Sequence, residues 1–219
     1  EPLTDKLYES KLIYNSPTFG DEVRTFCMNP NGEVVQENYN GISTVNGHSY
    51  AEKTTNNTNF ALLVSEKFTE PFKEPIQYGQ HIARLANMLG GGILVQRFGD
   101  LLDGRRSTPE RIKSSIIKPT LTCATPGDLS LVIPYRQMTS IIEMLQALDK
   151  ICPGTASRYT LLYGIEVKFY SARVKLTNEL ETEGVKNLFA IGDGAGVTRG
   201  LIQASASGVH VARTICARG

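Results

Sequence analysis

The chain has 219 residues, and 41% of them are hydrophobic, which is enough to build a core and is not typical of a disordered protein. Its 23 basic residues are balanced by 22 acidic ones, so no net field attracts nucleic acid or an anionic membrane. No apolar run is as long as a membrane span, and no signal-peptide pattern opens the chain. We therefore expect a cytoplasmic protein without nucleic-acid or membrane partners. Because the first residue is Glu, we also expect a part of a longer protein.

The cysteines and histidines give no pattern of a disulfide framework or a metal site. No C-x-x-C pair occurs, and a chain of this size needs no covalent staples, so reduced thiols are expected. The histidines are too far apart in sequence to suggest a cluster, and no zinc or iron spacing is present, so no metal is expected. The residues concerned are Cys27, Cys123, Cys152, Cys216, His48, His81 and His210.

The first third of the chain is predicted to be a β-meander. Residues 1–21 are polar and form an entry segment or edge strand. Two β-rich runs, 23–28 and 33–36, flank a glycine-containing turn, which predicts a hairpin. Residues 41–45 and 60–65 add two further strands.

Two amphipathic helices follow. One begins at Pro75 and ends at the glycines of residues 90–92, which follow a helix and are therefore not a dinucleotide-binding fingerprint. The other begins at Pro134 and ends at residues 153–154. Their apolar stripes are Tyr78, Ile82, Leu85, Ala86 and Leu89 in the first, and Met138, Ile141, Ile142, Leu145, Leu148 and Cys152 in the second.

The connection between these helices includes a long polar stretch, 97–129, and such stretches without secondary structure are usually functional or mobile. Within it, Arg105 and Arg106 either hold an anion or face solvent. After the second helix, residues 159–169 and 172–176 are predicted to form two strands.

The carboxy-terminal stretch combines a buried strand, a glycine loop and a helix. Residues 188–191 are an apolar run typical of a strand buried on both faces. Glycines in the next five residues let the backbone turn sharply and approach a ligand. Residues 201–217 have helical spacing, and a helix N-terminus favours phosphate or an electron-rich ring edge. Asp193 either accepts hydrogen bonds from a polyol at the end of the strand or simply caps the helix.

The string from Thr182 to Asp193 resembles the second flavin-contacting motif of flavoproteins with two dinucleotide-binding domains. In those families the aspartate holds the ribityl chain of FAD, and the next helix starts beside the flavin. The resemblance implies that this chain binds FAD through one loop and the start of one helix. The implied cofactor-binding residues are Gly192, Asp193, Gly194, Ala195, Gly196, Thr198, Arg199, Gly200, Leu201 and Ile202. Among them, Arg199 is equally a surface residue facing solvent.

A wider resemblance, from about Val23 to Ala212, is to a bacterial family of uncharacterised FAD-dependent dehydrogenases. The residues that carry it, besides the glycine loop, are Arg24-Thr-Phe-Cys-Met28, Pro30, Gly32-Glu-Val-Val35, Asn46-Gly47, Asn59, Ala61-Leu-Leu-Val64 and Val95-Gln-Arg-Phe-Gly-Asp100. Family members carry an amino-terminal G-x-G-x-x-G fold, which these 219 residues lack. Some relatives have Glu at the position of Asp193, and either carboxylate accepts the same hydrogen bond.

This resemblance implies an α+β chain that belongs to an α/β architecture in the intact protein. Residues 1–176 would be a β-rich, substrate-type inserted domain with two or three helices. Residues 177–219 would be the strand, loop and helix that return to the Rossmann-like FAD domain. Catalytic residues are not identified. Cys27 is a redox thiol or a small buried side chain, and Arg24 binds an anion or pairs with Asp21 or Glu22.

Three functions remain open. The leading one is an FAD-dependent oxidoreductase acting on a small molecule, with NAD(P)H as a candidate electron donor. The others are a flavoprotein that modifies RNA, which the balanced charge disfavours, and a non-catalytic domain without cofactor. We expect the 219-residue chain alone to be inactive and to lose FAD. Its exposed apolar carboxy-terminal segment would pack on the β-rich domain or form a homodimer.

Overall fold

A computed structural model describes residues 11–72, 74–168, 173–198 and 200–218. The chain divides into two compact units: unit 1, Glu1–Val167, and unit 2, Lys168–Gly219. Small sheets and five α-helices among the described residues confirm the mixed α+β class. The boundary expected between residues 176 and 177 separates domains of an intact protein and stays a prediction.

The helices and strands are as follows. The strands are β1 Ile13–Asn15, β2 Glu22–Asn29, β3 Glu33–Tyr39, β4 Ile42–His48, β5 Asn59–Val64, β6 Leu94–Arg97, β7 Thr125–Pro126 and β8 Leu161–Gly164. The α-helices are α1 Pro75–Gly90, α2 Phe98–Leu102, α3 Pro109–Lys113, α4 Tyr135–Asp149 and α5 Leu201–Arg218. Among these described helices, none is both long and apolar enough to cross a membrane.

The β-rich part of unit 1 contains the expected strands with a different pairing. β2 lies between β1 and β5 in an antiparallel sheet, while β3 pairs with β4 in a separate two-stranded sheet. The predicted hairpin of β2 with β3, and with it the simple meander, is therefore wrong. The reason is the turn after β3, where Asn40 and Gly41 both have positive φ, at 52° and 79°. Such two-residue turns match the twist of a hairpin, and this one joins β3 directly to β4.

The two long helices of unit 1 confirm the prediction from apolar spacing. α1 begins at Pro75 and is ended by Gly91, which adopts the left-handed conformation at φ 66°. Ala83 and Ala86 form its buried face. α4 begins after Pro134 and buries the residues Met138, Ser140, Met144, Leu145 and Leu148. The core that these helices cover includes Leu94, Phe98, Leu129, Leu145 and Ile165.

Part of the stretch that was expected to lack structure, residues 97–129, belongs to a third sheet. β6 pairs in parallel with β7 and antiparallel with β8. The short helices α2 and α3 lie within residues 97–129, so the prediction of a structureless connection is wrong. β8 is only four residues long, against the expected strand 159–169, of which residue 169 lies outside the described residues.

Unit 2 contains the expected helix but not the expected strands. α5 covers Leu201–Arg218, as the spacing predicted. Residues 188–191 form no strand, and Phe189 makes only an isolated bridge with Glu181. Leu188 and Ile191 are 51% and 45% exposed, so burial on both faces is wrong. A strand needs partners for its backbone groups, and the described part of unit 2 has no sheet to provide them.

The strand expected at 172–176 is also not formed by its described residues, 173–176. Residue 172 lies outside the described residues, and Leu176 makes a single bridge with Thr182. The strand-loop-helix arrangement of the prediction is thus reduced to a loop and a helix.

Candidate functional site

The glycine loop has a backbone that requires glycine. Gly192 has φ 74° and ψ −170°, a region that is essentially restricted to glycine. A single 3₁₀ turn, Asp193–Ala195, follows, and Gly196 ends it in the left-handed conformation at φ 69°. The backbone therefore turns sharply between Gly192 and Gly196, as the sequence indicated.

The Asp193 carboxylate connects this loop to the start of α5. Its Oδ1 accepts a hydrogen bond from Thr198 Oγ1 at 2.5 Å and another from the Gly200 backbone N–H at 3.3 Å. Asp193 is exposed, with the side chain at the protein surface. An ionised carboxylate has about four acceptor positions, so a carboxylate that caps a helix can also accept hydrogen bonds from a ligand. Capping and ligand binding by Asp193 are therefore compatible.

The loop packs closely on the second turn of α5. The Gly192 backbone N–H donates to Ser207 Oγ at 3.1 Å, and Ser207 Oγ donates to the Ala204 carbonyl at 2.7 Å. A Cβ on Gly208 would lie 3.8 Å from Ile191 Cδ1, so a side chain at this position of the helix would contact the loop entrance. Small side chains on α5 thus let the loop backbone approach the helix.

The first turn of α5 is open to solvent. Leu201 and Ile202 are 88% and 83% exposed. The first four N–H groups of any α-helix lack intrahelical partners and lie at the positive end of its dipole. Arg199, the remaining predicted donor, lies outside the described residues.

The other end of α5 is fixed by charges. Arg218 forms ion pairs with Glu179 and Glu181, and its guanidinium stacks over the Phe189 ring at 5.2 Å. The hydrogen bond from Arg218, with a second from the Asn187 backbone N–H, lowers the pKa of Glu181 below its usual value. Residues 179–189 are held against the carboxy-terminal turn of α5 in this way.

The described residues fit part of an FAD-contacting segment. Around Gly194 the position of a Cβ would have no atom within 4 Å, so the loop surface is open. An exposed carboxylate and a helix N-terminus lie on the same loop. The parallel sheet that would carry such a loop is not formed by the described residues of unit 2.

Cys27 does not have the environment that was expected. It lies at an irregular point of β2, is exposed, and has φ 46°, so it is not a small buried side chain. Asp21, one of the two acids proposed as partners of Arg24, accepts a bidentate hydrogen bond from Arg136, and the choice for Arg24 between an anion and an ion pair with Asp21 or Glu22 stays a prediction.

Arg105 has a structural role. Its Nε donates to Asp100 Oδ1 at 3.0 Å, and its Nη2 lies 3.1 Å from Asp103 Oδ2. Asp100 is 1% exposed and also accepts from Ser107 Oγ at 2.8 Å. Buried Gln96 continues the network, donating to the Arg105 carbonyl and accepting from the Leu129 N–H. The Arg105 guanidinium therefore serves this network, while anion binding by Arg105 and Arg106 stays a prediction.

The network was not predicted, although a signal was present. The motif Val95-Gln-Arg-Phe-Gly-Asp100 places a polar residue in β6 and an acidic residue in α2, and both prove to be buried among apolar neighbours. Buried polar groups need partners, and arginine and serine follow within the next seven residues.

A surface groove lies along the first turns of α1. Its volume is about 570 Å³, and it is far in sequence from the glycine loop. The lining residues are Phe72, Glu74, Gln77, Tyr78, Gln80, His81 and Arg84. Among the described residues, no group of three or more His, Cys, Asp or Glu side chains could hold a metal ion.

Comparison with known proteins places the chain in a family. The model of the family described as "FAD-dependent protein, C-terminal domain-like" matches residues 6–169, and the matched range ends before the glycine loop. An uncharacterized protein of Clostridium beijerinckii is 33% identical over 217 residues, covering 94% of this chain and 40% of the relative. The chain thus spans about two fifths of the length of that relative. The chain belongs to the family described as "FAD-dependent protein, C-terminal domain-like".

Proposed function

We propose that the chain supplies the flavin-contacting loop and helix of an FAD-dependent oxidoreductase that acts on a small molecule. The observation that carries the proposal is the loop of Gly192 to Gly200, which presents an exposed carboxylate beside the N-terminus of α5. Membership of an FAD-dependent family supports the choice of cofactor.

Each part of the loop has a chemical role in this proposal. The Asp193 carboxylate would accept hydrogen bonds from the ribityl hydroxyls, while the glycine backbone between Gly192 and Gly196 lets the ligand approach. The N–H groups of Gly200, Leu201 and Ile202 would lie near the flavin pyrimidine. FAD, when bound, supplies the redox chemistry, and the protein supplies orientation and electrostatics.

The electrostatic contribution comes from α5. A helix N-terminus has a partial positive charge that stabilises negative charge placed near it. Thr198 fixes the orientation of Asp193, so the carboxylate is held while the helix end stays accessible.

The proposal is tested on the full-length protein. It should retain FAD through extensive dialysis, and a screen of small-molecule substrates, with NAD(P)H as donor, should identify compounds that bleach the flavin absorbance. A protein that binds no flavin, even when FAD is supplied during refolding, would overturn the proposal. Tight RNA binding at stated salt, together with flavin bleaching that requires RNA, would support the RNA-modifying alternative instead.

A further inference from the structure

Ser207 is a polar side chain buried in the second turn of α5, and the FAD motif gives it no role. Only 7% of its surface is exposed. It donates to the Ala204 carbonyl three residues earlier, which is a common way for a helical serine to satisfy its own hydroxyl proton. Its lone pairs accept the Gly192 N–H, which lies fifteen residues earlier in the chain.

This contact fixes the residue whose backbone turns the loop. Gly192 adopts φ 74° and ψ −170°, and the same residue accepts from the Val197 N–H at 3.4 Å. A glycine has many accessible conformations, so its native one must be selected by its partners. The Ser207 hydroxyl is the side-chain partner that selects the direction of the Gly192 N–H.

Asp193 follows Gly192 directly, so the orientation of Gly192 determines where the Asp193 side chain begins. The carboxylate is then oriented from the other side by Thr198 and Gly200. Ser207 therefore controls the start of the loop, while Thr198 controls its end.

We infer that Ser207 is a positioning residue for FAD: its hydroxyl holds the Gly192 amide and thereby sets the Asp193 carboxylate for the ribityl chain. The inference rests on the proposed function. The inference adds Ser207 as a residue that would not contact the flavin itself and would act through the loop.

The test compares three variants of the full-length protein. Ser207→Ala removes the hydroxyl, and Ser207→Thr keeps it. Ser205→Ala is the matched control, because Ser205 lies on the same helix and is exposed. Alanine is a better helix former than serine, so α5 itself is preserved in both alanine variants.

Two measurements are made on each variant. Hydrogen exchange of the Gly192 amide, without added flavin, reports the contact itself. FAD affinity, from quenching of flavin fluorescence, reports its consequence. We expect Ser207→Ala to speed amide exchange and weaken FAD binding about tenfold, the effect of losing one buried hydrogen bond. Ser207→Thr should restore both, and Ser205→Ala should change neither.

The outcomes separate this inference from the proposed function. Unchanged Gly192 exchange in Ser207→Ala overturns the inference, whether or not the parent binds FAD. Faster exchange with unchanged FAD affinity overturns it as well, since the contact would be structural only. A parent protein that binds no FAD overturns the proposed function and the cofactor role of Ser207 together, while the exchange data still decide the contact.

If Ser207→Thr does not fold, a second variant, Gly192→Ala, disturbs the same contact from the loop side. This variant should reproduce the loss of FAD affinity, and full affinity in it counts against the inference.

Discussion

Asp193 is the residue on which the proposed cofactor site depends most. We expect Asp193→Ala in the full-length protein to weaken FAD binding roughly ten- to a hundredfold, because it removes a charge-assisted hydrogen bond of roughly 1.5–3 kcal/mol. Flavin occupancy after extensive dialysis measures the effect. Glu183→Ala, which removes an exposed acid from the same unit, is the control. Equal occupancy in Asp193→Ala and the parent would show that Asp193 does not contact the ribityl chain.

Cys27 carries a prediction that the structure reverses. If Cys27 were buried, truncating its side chain would lower the stability of the protein. Cys27 is exposed, however, and has φ 46°. Cys27→Ala should therefore change the free energy of unfolding by no more than about 0.5 kcal/mol. Cys27→Gly should stabilise by up to about 1 kcal/mol, since glycine adopts positive φ without the Cβ penalty. Urea unfolding of both variants measures these changes. A large loss of stability in Cys27→Ala would show that the Cys27 side chain contributes to packing.

At the scale of elements, Asp100 orders the stretch between β6 and β7. Asp100→Ala leaves Ser107 without its acceptor and Arg105 without its buried partner, so we expect a loss of about 2–3 kcal/mol of stability. Asp103→Ala is the control, because Asp103 is partly exposed and its ion pairs with Arg105 and Arg158 are solvated. Denaturant midpoints compare the two. Equal midpoints would show that the network contributes nothing beyond a surface pair.

The turn between β1 and β2 is docked on α4 by charges that make its stability depend on pH. The hydrogen bonds from Arg136 lower the pKa of Asp21 below its usual value, and those from Ser16 and Thr18 do the same to the pKa of Glu143. The carboxylates of Asp21 and Glu143 therefore bind a proton less tightly in the folded protein than in the unfolded chain. The stability that the two ionised carboxylates contribute is fully present above their usual pKa values. It is lost as the pH falls through their lowered pKa values in the folded protein.

Arg136→Met tests this docking. It should be less stable than the parent at neutral pH, and the difference should shrink as the pH falls from about 5 to 2 because protonated Asp21 no longer gains from Arg136. Urea midpoints across this range measure the difference. Arg84→Met changes an exposed position on α1, so the stability of this variant should depend on pH in the same way as that of the parent. A difference for Arg136→Met that stays constant with pH would contradict the assignment.

Local patterns predicted the helices well and the pairing of strands poorly. α1, α4 and α5 follow from proline or glycine punctuation and apolar spacing, which are properties of adjacent residues. Pairing β2 with β5 rather than β3 depends on residues 30 to 41 positions apart, from Asn29 with Asn59 to Val23 with Val64. The partners of Asp100 could not be predicted either, because whether an acid is buried depends on the strands that come to surround it. The loop of Gly192 was found because its conformation is encoded by its own glycines.

At the scale of the whole molecule, we predict that the 219-residue chain folds but does not hold FAD. The G-x-G-x-x-G fold that supplies adenine and pyrophosphate contacts in the families it resembles does not occur in these residues. If an intact site binds with ~10 kcal/mol and half of the contacts are missing, ~5 kcal/mol remains, a dissociation constant of roughly a few tenths of a millimolar. Cofactor should then wash out during purification, and a stoichiometrically yellow preparation would contradict the prediction.

The exposed start of α5 should then govern how the isolated chain behaves in solution. Leu201 and Ile202 are 88% and 83% exposed, and large apolar side chains left in water favour association. We expect the chain to form a dimer whose fraction rises with protein concentration, measured by light scattering after size exclusion. Replacing both residues by Gln should give a monomer, whereas Met88→Gln, which removes an apolar side chain that is 74% exposed in unit 1, should leave the dimer intact. A parent that stays monomeric at all concentrations, or a double variant that still dimerises, would show that α5 is not the contact.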